Sequence, residues 1–563
     1  MSPFVHRRLP RWTATLLPLV VAPLGGCLFL VDADFENATL ATTTTAGTGA
    51  TSTGGNGGTG GTGGFGGLGG TGGVGGTGGT GGVGGLGGTG GVGGTGGLGG
   101  VGGATCEPQS PPVDCGLDAV DDDCDGYSGA PQWSLSVHGV NVQRVTQARR
   151  APDGGLVLTG YSEGAMSVDG ATVPGGAFVV KIDESGHLAW SRRFGSTYLA
   201  FGNALAFAPD GDVIVVVDAS IPMDFGGGLV DVPEPGAHSV IVRLHGEDGS
   251  HVWSRLVGDA SAMDIVPGVV AVDPTGTIVL AASYQGSLVW PEGNSLGPSA
   301  GSHLFLSFFD PDGAHLESFD LGPGAVARRI AVDENGDVVV LGVLFGLADL
   351  GGGPLGEATP TSFLARFSGS GQHLWSRALG TLTEPYWGRG LALLPDGGAV
   401  AAVPYIGVLE GGETPLVALG KDVGLVAVTA GGAVSWTARF GGDGEDGPWD
   451  LALAPDGDLV LGGTFSMTFD AGLCALPSQA DEDAFLMRLD PSGHPRWVHT
   501  FGDPQSDHGP GSEDWPGEIL SAVDVAPDGS ILTVGEWEGV VDWGTGPIFA
   551  AAPGDLAVAR FSP

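Results

Sequence analysis

A tight-turn phrase recurs seven times between residues 151 and 529, and it limits the possible folds more than any other feature of the chain. Each copy is an apolar alternation, a turn ending in Gly, and a strongly β-branched run. The turns are Ala151-Pro152-Asp153-Gly154, Ala208-Pro209-Asp210-Gly211, Asp273-Pro274-Thr275-Gly276, Asp333-Glu334-Asn335-Gly336, Leu394-Pro395-Asp396-Gly397, Ala454-Pro455-Asp456-Gly457 and Ala526-Pro527-Asp528-Gly529. Their glycines are spaced by 57, 65, 60, 61, 60 and 72 residues. Pro presets φ at the second turn position and Gly accepts a positive φ, so each phrase reads as a tight hairpin between strands.

A second phrase recurs out of step with the first: an alternating strand, a Gly turn, and a strand carrying one aromatic. Phe178–Asp183 followed by Trp190 and Ser239–Leu244 followed by Trp253 are examples. Phe363–Phe367 with Trp375 and Phe485–Asp490 with Trp497 repeat it, and Phe319 and Trp436 fill the slot in two further copies. Together the phrases give four short strands per repeat, which is the blade of a β-propeller. The last copy stops at Leu556–Phe561, before its aromatic strand, and the N-terminal edge supplies an orphan one at Gln132–Gly139. Joining them gives seven complete four-stranded blades over residues 131–563 and removes a free sheet edge. The expected fold is therefore all-β, a seven-bladed propeller closed by an N-terminal strand. The layout resembles the secreted bacterial β-propeller repeat proteins marked by W-x-R-x-F-G…A-x-D-x-x-G phrases, a resemblance that implies the fold and carries no activity.

The first 130 residues cannot build such a core. Residues 1–27 have the zones of a secretory signal: His6-Arg7-Arg8 and Arg11, an apolar run from about Thr13, then small residues. The run ends in Leu24-Gly25-Gly26-Cys27, which resembles the lipobox of bacterial lipoproteins; the resemblance implies Sec-type export, cleavage, and acylation of Cys27. Leu28–Val31 lengthens the apolar stretch to about what an uncleaved membrane anchor needs, the competing reading. Residues 28–104 become Thr-rich and then a Gly-Gly-X repeat, with too few side chains to repay the entropy of ordering. They read as a disordered tether, about 60 residues of Gly-rich coil spanning ~45 Å r.m.s..

Residues 105–130 form a Cys- and Asp-rich module. Asp121, Asp123, Asp125 and Gly126 match the start of a calcium loop, in which alternate side chains converge on a hard cation and Gly permits the bend. The segment resembles the Cys-containing metal-binding repeats of secreted bacterial proteins, which implies Ca²⁺ as ligand. Gln132 stands where an EF-hand places its bidentate Glu, so binding is expected to be weak. The competing reading is a solvated acidic turn. Of five cysteines, Cys27 going to lipid would leave Cys106, Cys115, Cys124 and Cys474, an even number that suits disulfides in an oxidising compartment.

Sixty-three acidic residues against 21 basic ones give a formal charge of −42, which argues against nucleic acid and anionic lipid surfaces as partners. His187, His251, His315, His373 and His494 share one repeat position and so belong to different blades, too far apart to converge on one metal. An Asp-aromatic-Gly phrase, clearest at Asp224-Phe225-Gly226 and Asp542-Trp543-Gly544, reads as a structural turn whose Asp holds backbone amides. Two irregular acidic loops are the best binding candidates: one with Asp443, Glu445 and Asp446, the other, Asp503–Trp515, with Asp507, Glu513 and Asp514. As neighbours on one rim they would hold a cation or a basic partner. No set of acidic, His or Arg side chains from several blades stands out from the repeats. The expected protein is thus a monomeric, non-catalytic lipoprotein of the cell envelope, at the outer membrane or cell surface, anchored to the membrane by lipid. Its propeller would bind an unknown protein or glycan ligand. The alternative is an extracellular propeller enzyme, a polysaccharide hydrolase or lyase.

Overall fold

The computed structural model describes residues 114–115 and 129–563, except 234–235, 259–261, 266–267, 291–293, 383–389, 411, 413, 504–517 and 551–553. For residues 114–115, 262–265 and 480–481 it describes the backbone only. Cys27, the Asp121–Asp125 loop, and Asp507, Glu513 and Asp514 lie outside the described residues.

Every named element is a strand. Blade 1 runs from its inner strand Gln143–Arg150 outward through Leu156–Ser162 and Gly176–Ile182 to Leu188–Phe194. Blades 2 to 6 repeat this order, with inner strands Ala200–Phe207, Val269–Val272, Ala325–Val332, Gly390–Leu393 and Gly447–Leu453. Blade 7 comprises Ile519–Val525, Ile531–Trp537 and Asp555–Phe561, and its outer strand is the N-terminal Pro131–Gly139, antiparallel to Asp555–Phe561. The inner strands neighbour one another in chain order, and the seventh returns to the first. The ring closes as the mismatched ends require.

Each phrase in the sequence has a physical counterpart. In the turn after the first inner strand, the Gly154 amide donates to Ala151 O at 3.0 Å and Gly154 adopts φ +92°. The second strand that follows is covered by a neighbouring blade on both faces, so Val213 to Val217 are all fully buried. Burial on both faces is why these runs read as continuous β-branched stretches rather than as alternation.

Two repeated contacts lock blade to blade. The outer-strand aromatic lies over the turn glycine of the next blade, as Trp190 does over Gly249, while its Nε1 donates to Gly246 O at 3.2 Å. Trp253, Trp375 and Trp133 make the same indole bond to Pro311, Ala430 and Glu184. At the closure, where blade 7 has chain ends in place of that turn, Gly129 takes the glycine's place against Trp497. The second contact is ionic. A basic residue near the end of the third strand bonds the turn carboxylates of its own blade: Lys181 to Asp153, Arg243 to Asp210 and Asp212, Arg366 to Asp333 and Asp337, Arg488 to Asp456 and Asp458, and Arg560 to Asp528. Arg243 and Arg366 also donate onward, to Pro311 O at 2.8 Å and Gly397 O at 2.6 Å in the next blade. Blades 3 and 5 place Phe308 and Ala427 at this position and forgo the pair.

The blades differ between their second and third strands. Blades 2, 4, 5 and 7 insert a separate two-stranded hairpin there, such as Met223–Asp224 with Leu229–Val230, and the hairpin of blade 1, Met166–Val168 with Ala171–Val173, pairs onto the closing strand Pro131–Gly139. Blades 3 and 6 instead extend the two strands into one long ribbon, Ile278–Val289 with Ser295–Phe309 and Leu459–Asp470 with Ala475–Leu489. Asp114–Cys115 adds a short parallel strand outside blade 6, and Cys474 is disulfide-bonded.

Candidate functional site

Of the rim residues named from the sequence, the structure describes Asp443, Glu445 and Asp446, and they do not all face solvent. Asp443 and Glu445 are exposed, with Glu445 paired to Lys421 Nζ at 2.6 Å. Asp446 is turned inward and fully buried, its Oδ2 accepting the Gly442 amide at 2.7 Å. Burial pushes its carboxyl up to about 7, assisted by the charge of Asp422 and opposed by the Gly442 amide. The described part of the second loop is Asp503, which is also buried and accepts the Val540 amide at 2.7 Å.

The five repeat-position histidines stand at or beside the start of the outer strands of blades 1, 2, 3, 4 and 6. His315 is buried and stacked on Trp290, with ring centroids 4.0 Å apart. In the Asp-aromatic-Gly hairpins, Asp224 Oδ1 accepts the amides of Gly226 and Gly228 at 2.7 and 2.9 Å, and Asp542 does the same for Gly544 and Gly546. These bonds hold the Asp224 carboxyl below its usual range, while Phe225 and Trp543 are buried between blades. A cleft of about 510 Å³ between the turns of blades 1 and 2 is lined by Asp153, Lys181, Asp210, Asp212 and His245. Lys181 is paired there with Asp153, and His245 Nδ1 lies 3.3 Å from Asp212 Oδ1.

The structure corrects the expectation that no polar set converges from several blades. Arg149 of blade 1 reaches across the axial channel, and its Nη1 donates to Asp450 Oδ2 of blade 6 at 2.8 Å. Arg329 of blade 4 approaches the other oxygen of the same carboxylate, Nη2 to Oδ1 at 3.5 Å. None of these blades adjoins another, so the fully buried Asp450 is a hub between walls that the chain does not otherwise bring together. Asp524 of blade 7 stands beside them, its Oδ2 accepting the Arg150 amide and its Oδ1 the Val525 amide, both at 2.8 Å. Burial raises the Asp524 carboxyl, with Arg149 opposing the shift. Burial also disfavours the charge on Arg149, but Asp450 and Asp524 outweigh it and hold the guanidinium protonated.

A signal for this set exists in the sequence. Five residues before the turn glycine, five blades carry Ala, at positions 206, 271, 331, 392 and 452. Blade 1 has Arg149 and blade 7 has Asp524 there. Two residues earlier, Gln147, Arg329 and Asp450 interrupt a column that Ala204, Val269, Gly390 and Ala522 keep small or apolar, Gln147 accepting the Leu205 amide of the next blade. The exceptions mark the site, whereas repeat matching attends to what recurs.

A third polar group lies between blades 6 and 7. Glu518 is buried, and burial together with the charges of Asp483 and Asp503 pushes its carboxyl up to about 8. Among the described residues, no three His, Cys, Asp or Glu side chains are placed to hold a metal ion.

No protein-family pattern matches the chain, and no curated protein matches it. Among solved structures, the Dos1 propeller is similar at 8% identity and a TM-score of 0.38, covering 76% of this chain and 95% of that one. Streptogramin B lyase is similar at 10% identity and 0.35, covering 76% and 98%. The β-propeller domain of the Trilobed protease from Pyrococcus furiosus is similar at 10% identity and 0.36, covering 72% and 95%. Likenesses this distant carry no argument about activity, and the fold rests on this chain's own strand order, seven four-stranded blades closed through its two ends.

Proposed function

We propose that this protein is a non-catalytic lipoprotein of the cell envelope, whose propeller binds a protein or glycan ligand at the axial channel. The observation that carries this reading is the set Arg149, Arg329, Asp450 and Asp524, drawn from four blades onto one axis. A ring that needed charge only for stability would repeat it, as the turn-side ion pairs are repeated. The signal and lipobox at Cys27 support attachment to the envelope, and the Gly-rich segment supports a tether that holds the ring off the membrane. Asp121, Asp123 and Asp125 would stiffen the join by taking up Ca²⁺ at about 10⁻⁴–10⁻³ M, the range of extracellular modules.

Binding fits the channel better than turnover does. Glycoside hydrolysis needs one carboxyl to give a proton and a second, free one to attack or to activate water. Asp450 is fully buried, and two guanidiniums occupy its oxygens, which leaves it no access to attack or to activate water. The second reading, a polysaccharide hydrolase or lyase, draws on the raised Asp524 as a proton donor. To separate the two, the full chain would be expressed in a bacterium, labelled with a lipid precursor, and probed against arrays of envelope glycans and peptides. The expected result is a labelled protein that Cys27→Ser leaves unlabelled, with captured ligand recovered intact. Ligand recovered cleaved, or membrane retention of an unlabelled Cys27→Ser protein, would overturn the corresponding half of the proposal.

A further inference from the structure

The seven inner strands hold five arginines (Arg144, Arg149, Arg150, Arg328 and Arg329) and two aspartates, Asp450 and Asp524. The inner strands thus carry a surplus of basic over acidic residues in a chain whose formal charge is −42. Lys and Arg together number only 21 in the whole chain, so this concentration goes against the composition.

Arg149 is built to use that surplus. Its Nη1 is fully committed, to Asp450 Oδ2 at 2.8 Å and Ala148 O at 2.9 Å. Two anchored bonds fix the plane of the guanidinium. The opposite edge, Nε with Nη2, has no acceptor among the described residues, and the side chain is a quarter exposed. That edge presents two parallel donors, the geometry that takes a carboxylate bidentately. Asp524 is close enough to favour the charge on Arg149, yet its oxygens are taken by the Arg150 and Val525 amides. In register, Arg149 lies two residues nearer the turns than the level of Asp450 and Arg329.

We infer that the channel is a carboxylate-binding site in which the Nε–Nη2 edge of Arg149 holds the acid, oriented from behind by Asp450. This deepens the binding reading and rests on it. The acidic exterior repels long polyanions before they reach the axis. The ligand is therefore a single carboxylate group, carried either by a small organic acid or by a terminal acidic sugar of a glycan.

The test is calorimetric titration of the full chain with succinate and with glucuronate, using glucose and inorganic sulfate as counter-probes. Both carboxylates should bind and glucose should not. Arg149→Gln should weaken binding roughly tenfold or more, the usual effect of losing a charge-assisted pair. Asp524→Asn should tighten binding several-fold by removing a competing negative charge, an outcome that misfolding cannot imitate. Tighter binding of glucuronate than of succinate would identify the acidic sugar as the source, and the reverse order the small acid. Wild-type affinity in Arg149→Gln, glucose binding as well as glucuronate, or sulfate binding as tightly as either acid would overturn the inference. A ligand captured equally by wild type and Arg149→Gln on the arrays would leave the binding module standing and remove only the carboxylate site.

Discussion

The turn-side rim and the axial channel use the same residue types in opposite ways. At the rim, a basic residue of the third strand meets the carboxylates of its own turn in five blades, and Arg243 and Arg366 also tie the next blade. In the channel, Arg149, Arg329, Asp450 and Asp524 each occur once, and Arg149 and Arg329 reach Asp450 across the ring rather than within a blade. Repetition marks a contact that every blade needs for packing. A departure from the repeat costs packing uniformity and so points to a role that belongs to the whole ring.

The largest effect expected from breaking that contrast is at the rim. Arg488 is fully buried against the exposed Asp456 and the buried Asp458, which Arg496 also pairs, so Arg488→Ala opens a cavity and removes one of two cations from Asp458, and should cost about 3–5 kcal/mol in denaturant unfolding. Replacing Arg488 by Met together with Asp456→Asn and Asp458→Asn imitates blades 3 and 5, which lack the basic residue, and should recover much of that loss. No recovery would mean that the blades are not interchangeable at this position. Next come the outer-strand aromatics. Trp497 is fully buried over Gly129, and Trp497→Ala should cost about 3–5 kcal/mol. Trp375 is only partly buried, and Trp375→Ala should cost about 1–2 kcal/mol because less area returns to water. Equal losses would show that the Trp375 indole bond to Ala430 O, which has no counterpart at Trp497 among the described residues, offsets its lesser burial.

Repeated features were the legible ones. The seven turns, the aromatic slot and the mismatched ends fixed blade number, strand order and closure, because each blade poses the same local problem and solves it with the same residues. The hairpins of blades 1, 2, 4, 5 and 7 and the long ribbons of blades 3 and 6 were not separable, since both begin with a strand, a polar turn and a strand. The channel set was hidden for another reason. Arg149 and Asp450 are 301 residues apart and meet only because the ring closes, so their pairing has no local sequence correlate. The acidic loop misled in the opposite sense: Asp446 looks like a solvated rim residue beside Asp443 and Glu445, but the Gly442 amide draws it inside.

The rim and the unrepeated acids should also separate by pH. Hydrogen bonds from Ser530 hold the rim carboxylate Asp528 below its usual range, so its contribution is present above about pH 4 and is lost on acidification. Glu518 and Asp446 behave the other way, being raised to about 8 and about 7. The folded state keeps protons that the unfolded chain releases, so their contribution is complete below about pH 4 and is lost as pH rises through 7 and 8. Thermal unfolding from pH 5 to 9 should show a decline on the order of 1–3 kcal/mol, and Glu518→Gln should flatten the larger share of it. A flat profile for the wild type would place both carboxyls in water-like surroundings.

The finest distinction lies between two turn glycines of the repeat. Gly211, in a turn that follows an inner strand, has φ +89° and open space where a Cβ would stand. Gly493, in a turn that precedes an outer strand, has φ +84°, and its Cβ would meet the Trp436 ring at 2.6 Å. Both lie in the left-handed region, so alanine carries the same backbone penalty of about 1–2 kcal/mol at each. Gly493→Ala must in addition push the indole of the preceding blade aside, which should add about 1–2 kcal/mol. The excess should vanish when Trp436→Ala is combined with Gly493→Ala, because a clash needs both partners; a double-mutant cycle followed by denaturant midpoint isolates it. Equal costs for Gly211→Ala and Gly493→Ala would show that the aromatic merely rests near the turn, and the repeated contact would then owe its strength to the ion pairs alone.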